Sequence, residues 1–175
     1  MTIDPDGKIY GISTSSYNDQ YAVFGTATES GDLSFAAGYT SDGSTFNGTV
    51  DSSGKIQGTW HDPGDGETGT FNGNGQIGAP IPSGIDAFVG KYSGTYTGDD
   101  YGTFNMYVDA YGNVVVVIVS GDAAIGTINS NGSFTVKDSY GNISASGTIS
   151  SSGNATGTWK DSYYYANGTF TCSKQ

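Results

Sequence analysis

The chain has 175 residues, among them 29 glycines, 13 tyrosines, six lysines, no arginine and 17 acidic residues, for a net charge of −11. That balance argues against nucleic acid and against anionic membrane surfaces, because both are bound through clustered Lys and Arg. The single cysteine, Cys172, excludes an intrachain disulfide, and no apolar run is long enough to span a bilayer.

Helix is not expected, since no window repeats apolar residues at a period of 3.6 and Gly interrupts every long stretch. Strand-like runs rich in Thr, Val, Ile, Tyr and Phe recur instead, separated by short turns. In the first half they fall near 2–4, 8–14, 21–28, 32–39, 44–50, 55–61 and 67–73. The opening MTIDPDGK lacks the charged and apolar regions of a signal peptide, which fits a fragment of a longer protein. After Trp60 comes HDPGDGET, where Asp62, Asp65 and Glu67 could offer oxygen ligands to Ca²⁺; the bland alternative is a solvated turn. The one histidine, His61, has Lys160 at its place in the second half and is expected to be a loop residue.

Residues 75–88, rich in Gly and then holding Pro80 and Pro82, read as a linker between a first β-repeat (1–74) and a second (89–175). Strands of the second repeat are expected near 89–97, 101–108, 113–119, 122–129, 132–138, 142–149, 154–160 and 166–172. The stretch Val114, Val115, Val116, Val117, Ile118 and Val119 is apolar on both faces of a strand. A half-solvated strand should alternate, so its outer face is expected at an inter-repeat or inter-subunit contact. After Trp159 comes KDSYYYAN. If this segment were strand, Tyr163, Tyr164 and Tyr165 would point alternately to opposite sides. At least one ring would then be exposed, available to a sugar or a protein.

The turns share a form: Asp4–Gly7, Asp51–Gly54, Asp109–Gly112, Asp138–Gly141 and Ser150–Gly153. Asp or Ser opens each turn by bonding the backbone two residues on, and Gly closes it in the left-handed conformation of a G1 bulge. Tight hairpins make successive strands antiparallel neighbours. The halves are also duplicates: GTVDSSGKIQGTW at Gly48 and GTISSSGNATGTW at Gly147 are each followed, eight residues later, by GTF. Nothing in the first half matches GKYSGTYT at Gly90. The expected fold is therefore all-β: two tandem antiparallel meanders, each an up-and-down barrel or barrel-like sandwich of about eight strands, the first lacking its opening strand. Trp60 and Trp159, at equivalent positions, suit barrel packing, with ligand contact as the alternative.

The pattern GKYSGTYTGDDYGTF, VDAYGNV, GTISSSGNATGTW and GTFTCSKQ resembles Gly-rich tandem β-repeat domains of bacterial secreted and surface proteins. More loosely, the GTF and GTW hairpins are similar to the barrels of surface lipoproteins of the transferrin-binding protein B type. Cys172 stands where that pattern has Gly. The resemblance implies an extracellular or cell-surface module and carries over no catalytic residue.

The expectation is a non-enzymatic module for binding, adhesion or assembly, with protein or carbohydrate as partner, self-association through open strand edges, no cofactor beyond a candidate Ca²⁺, no nucleic acid and no membrane insertion. The alternative is a calycin-like carrier of a small apolar ligand inside a barrel. The two differ in the lumen: large side chains filling it exclude a carrier, and an open, lined cavity supports one.

Overall fold

A computed structural model describes residues 1–14, 20–38, 43–75, 82–118, 123–138 and 140–175. They form two compact units, one built from Met1–Thr14 and Tyr21–Pro80, the other containing Ile81–Gln175.

The first unit is a seven-stranded sheet in sequential order. Its strands are β1 (Thr2–Ile3), β2 (Lys8–Thr14), β3 (Gln20–Ala27), β4 (Asp32–Ala37), β5 (Ser44–Val50), β6 (Lys55–His61) and β7 (Thr68–Asn74). The second unit comprises β8 (Gly90–Gly98), β9 (Gly102–Val108), β10 (Asn113–Ile118), β11 (Ala123–Ile128), β12 (Ser133–Lys137), β13 (Ile143–Ile149), β14 (Asn154–Asp161) and β15 (Ala166–Lys174). These eight close into a barrel. Closure joins first strand to last: β8 pairs antiparallel with β15, Tyr96 opposite Phe170 and Gly94 opposite Cys172. Among the described residues the first unit has no counterpart of β8, as its sequence anticipates, and its sheet is open.

The turns are built as their sequences require. Asp51 Oδ1 accepts the Ser53 and Lys55 amides at 2.8 and 3.0 Å. Asp109 Oδ1 does the same for Tyr111 and Asn113 at 2.9 and 2.8 Å. Gly54 and Gly112 close those turns with φ of 86° and 82°, a region costly for any residue with a Cβ.

Closure depends on the Gly-Thr-aromatic triplets. On a strand of period two, the triplets Gly157–Trp159 and Gly168–Phe170 turn Gly and ring inward and Thr outward. The ring on one strand then lies over the glycine of the next. A Cβ on Gly157 would come 2.5 Å from the Phe170 ring, and one on Gly168 would come 2.6 Å from the Trp159 indole nitrogen. Alternating small and large inward residues lets a narrow barrel close with its rings inside.

The two cores differ as closure demands. In the barrel, Tyr92, Met106, Val108 and Val114 are at most 1% exposed and belong to one continuous cluster. In the open sheet the buried cluster is Ile9, Val23, Leu33 and Ala37, while Phe35, Phe46 and Ile56 are only partly buried against it. Within the stretch 75–88 read as linker, Ile85 and Phe88 are buried members of the barrel core. They plug one end, where the Tyr92 hydroxyl donates to the Phe88 carbonyl at 2.6 Å.

Candidate functional site

Each barrel strand runs from the plugged end to the opposite end or back. At the plugged end Ile85, Phe88 and Tyr92 are buried. Burial there pushes the Tyr92 hydroxyl up to about 12, with Cys172 nearby adding to the shift. Burial also pushes the Cys172 thiol up to about 11. A thiol so raised stays protonated at neutral pH, and the thiolate is the nucleophilic form.

Toward the other end the lumen opens into an apolar cavity of about 120 Å³. Its floor is aromatic. Phe104 meets Phe170 edge-on at 5.7 Å, and Phe134 lies tilted against Phe170 at 5.9 Å. Val116, Val136 and Ala145 supply walls, and Tyr96 and Trp159 stand at the mouth. These two rings meet edge to face at 5.7 Å, and the Trp159 indole N–H donates to the Thr97 carbonyl at 3.1 Å. The indole's polar edge is thus satisfied within the wall, and its apolar body borders the cavity.

Two carboxylates are the charged groups of the lining, Asp100 and Asp161. Asp161 Oδ1 accepts the amides of Tyr163 and Tyr164 at 2.8 and 3.1 Å and so shapes the loop that carries them. Asp100 receives the Tyr101 amide at 2.8 Å and a long contact from the Tyr96 hydroxyl at 3.5 Å. Its neighbour Asp99 points elsewhere, accepting from the Asn167 amide and side chain at 3.0 and 2.7 Å. The loops around this mouth also hold the exposed tyrosines: Tyr101 is 82% exposed, Tyr140 70%, and Tyr163, Tyr164 and Tyr165 68%, 75% and 90%.

The sequence-expected residues distribute unevenly over this site. Trp159 lines the cavity, and Tyr163, Tyr164 and Tyr165 stand beside its mouth. These tyrosines lie in a turn and not in a strand; alternation therefore does not apply, and all three rings are exposed. Trp60 belongs to the other unit, where its indole nitrogen packs over Gly69 as that of Trp159 packs over Gly168. Asp62, Asp65 and Glu67 are not gathered into a metal-binding group: among the described residues no cluster of three such side chains forms. Asp62 instead accepts from Ser44 Oγ and the Gly64 amide, both at 2.8 Å, and Asp65 from the Glu67 amide at 2.9 Å.

Of the apolar run, Val114, Val116 and Ile118 turn into the lumen; Val115 and Val117 turn outward. Val115 is nonetheless only 2% exposed, flanked across the strands by Tyr107 and Ile125. Burial raises the Tyr107 hydroxyl above its ordinary value. Val119 lies outside the described residues.

The sequence reading missed Tyr96, Asp100 and the aromatic floor. A signal for Tyr96 was present: Gly94-Thr-Tyr96 has the same form as Gly157-Thr-Trp159, which places both rings on the inner face of their strands.

Neither a family model nor a curated protein sequence matches this chain. Among solved structures it is similar to a protein of unknown function from the DUF3598 family of Nostoc punctiforme, 11% identical over 98% of this chain and 91% of that one, with a TM-score of 0.25. A superposition that loose carries no argument about function.

Proposed function

We propose that the protein is a non-enzymatic binding module whose closed barrel takes a small apolar molecule, or the apolar arm of a larger one, into its open end. The observation that carries this reading is the cavity itself: about 120 Å³ with an aromatic floor beneath a mouth framed by Tyr96 and Trp159. Cavities of roughly 150 Å³ lined by apolar side chains stay dry and accept benzene-sized guests. A larger ligand would extend past the mouth onto the exposed tyrosines, whose rings offer flat contact to a sugar or a protein surface.

The test uses benzene and indole as probes, by calorimetry and by thermal unfolding. A bound probe at a hundredfold excess over its Kd should stabilise the fold by about 2.7 kcal/mol. Ala145→Phe, which places a ring in the cavity, should abolish that shift without unfolding the barrel. No stabilisation by either probe, or an equal shift in the filled variant, overturns the reading.

A companion reading is favoured by a separate observation, the open seven-stranded sheet. An open sheet with a partly exposed apolar face suits adhesion or assembly, including association between copies of this chain. The surface or secreted setting, with protein or carbohydrate as partner, is supported by the Gly-rich repeat pattern of the sequence. Sedimentation over a concentration range tests the association: a chain that stays monomeric at all concentrations sinks it.

A further inference from the structure

The duplication supplies a template for what would complete the open sheet. Strands β5, β6 and β7 correspond to β13, β14 and β15 residue for residue, so Phe71 matches Phe170 and Gly73 matches Cys172. The matched residues pack alike. A Cβ on Gly58 would meet the Phe71 ring at 2.6 Å, as one on Gly157 meets Phe170 at 2.5 Å. In the barrel, the far edge of β15 is covered by β8, with Tyr96 opposite Phe170 and Gly94 opposite Cys172. In the first unit, β7 ends the sheet, and among the described residues no strand pairs with its far edge.

Two further observations locate the vacancy there. A Cβ on Gly73 would meet nothing within 4 Å, whereas one on Gly94, its neighbour-to-be in the template, is hemmed in by Thr171 and Cys172. The rings of Phe35, Phe46 and Phe71 cluster at 4.8 to 5.6 Å on the inner face, yet all three stay half-buried. Under a closed wall the counterparts of Phe35 and Phe71, Val136 and Phe170, are 1% and 6% exposed, while that of Phe46, Ala145, is still partly buried.

We propose that the edge of β7 that is unpaired among the described residues receives, in trans, an extended strand of the β8 type, a Gly-x-Tyr-x-Gly-x-Tyr segment, in the register β8 takes on β15. Its second Tyr would lie opposite Phe71 and its second Gly opposite Gly73. Main-chain hydrogen bonds would supply affinity, and the inward Tyr rings, laid over the half-buried phenylalanines, would supply specificity, as in other cases of strand addition. A strand with a bulky residue in place of the second Gly would collide with the β7 backbone, as a Cβ on Gly94 would with the Thr171 carbonyl. This surface is separate from the barrel cavity.

The experiment uses the full chain and a synthetic peptide of residues 89–99. Expected results are one peptide bound per chain, and slowed amide exchange across Thr68–Asn74 with the barrel strands unchanged. A scrambled peptide of the same composition should do neither. Register is read by disulfide trapping: peptide carrying Thr95→Cys, the position that in β8 lies opposite Thr171, should couple to the chain variant Asn72→Cys, the match of Thr171, and not to Thr70→Cys, two residues along the same outward face. Thr95 and Asn72 face outward, so neither cysteine meets the backbone as a side chain at Gly94 would, and buried Cys172 should stay unreacted. Absence of protection in β7 at saturating peptide, equal protection by the scrambled peptide, or trapping at position 70 in preference to 72 overturns the proposal.

Discussion

Gly157 and Phe170 are cross-strand partners, and the Phe170 ring occupies the space a side chain on Gly157 would take, at 2.5 Å from the place of its Cβ. Gly157→Ala should therefore destabilise the barrel by about 1–3 kcal/mol through overpacking. The equivalent Gly58→Ala should cost less, because Phe71 is half-buried in an open sheet and can swing aside. Each unit holds one tryptophan, so Trp60→Phe and Trp159→Phe backgrounds separate the two transitions in a denaturant titration followed by fluorescence.

At the plugged end, alkali should loosen the barrel. Cys172 and Tyr92 have ordinary values of 9.0 and 10.0 and are raised to about 11 and about 12 in the fold. Between pH 9 and 12 the unfolded chain therefore loses protons that the folded one keeps, and stability falls as pH rises. It is fully present below pH 9. Tyr92→Phe should lower stability by about 1–2 kcal/mol at neutral pH, since the Phe88 carbonyl loses its donor, yet flatten the decline above pH 10. Thermal unfolding at a series of pH values reads both effects.

Tyr165 holds a left-handed backbone, φ 57°, with its ring 90% exposed. A bulky residue in that region is strained by roughly 1–2 kcal/mol, and the exposed ring recovers nothing by burial. Tyr165→Gly should raise the unfolding free energy by about 1 kcal/mol. If the rings at the mouth extend the ligand site, the same variant should weaken binding of a ligand too large for the cavity and leave benzene binding unchanged.

Asp62 should titrate below its ordinary value of 3.8, chiefly because Ser44 Oγ donates to it, and then because the Gly64 amide does. Its contribution to stability is present above that value and is lost as pH falls through the lowered one. Ser44→Ala should move the Asp62 titration, followed by carboxyl carbon NMR, back toward 3.8.

The turns and the triplets explain why so much of the architecture was readable. Asp-x-x-Gly and Gly-Thr-aromatic are local instructions: a side chain bonding its own backbone, a residue free to adopt positive φ, and an alternation that assigns each side chain a face. The fifteen strands of the described residues and their antiparallel order follow from such short-range chemistry, and so does the lack of a β8 counterpart among them in the first unit, because the two halves can be laid side by side. The loop after Trp159 falls between the expected strands 154–160 and 166–172, but the number of rings it exposes could not be read from alternation. Alternation holds only within a strand, and Asp161 draws the chain into a turn by accepting two amides.

What the sequence by itself determined, then, is the meander, its duplication and its inward faces. Only the tertiary structure decided which inward faces meet. Whether a ring fills the lumen or leaves a cavity depends on the layer at which each strand delivers it. That layer is set by the stagger around the closed barrel, where β8 meets β15 across more than seventy residues of chain. The same closure buries Phe170, and its absence leaves Phe71, on an equivalent strand, half-exposed.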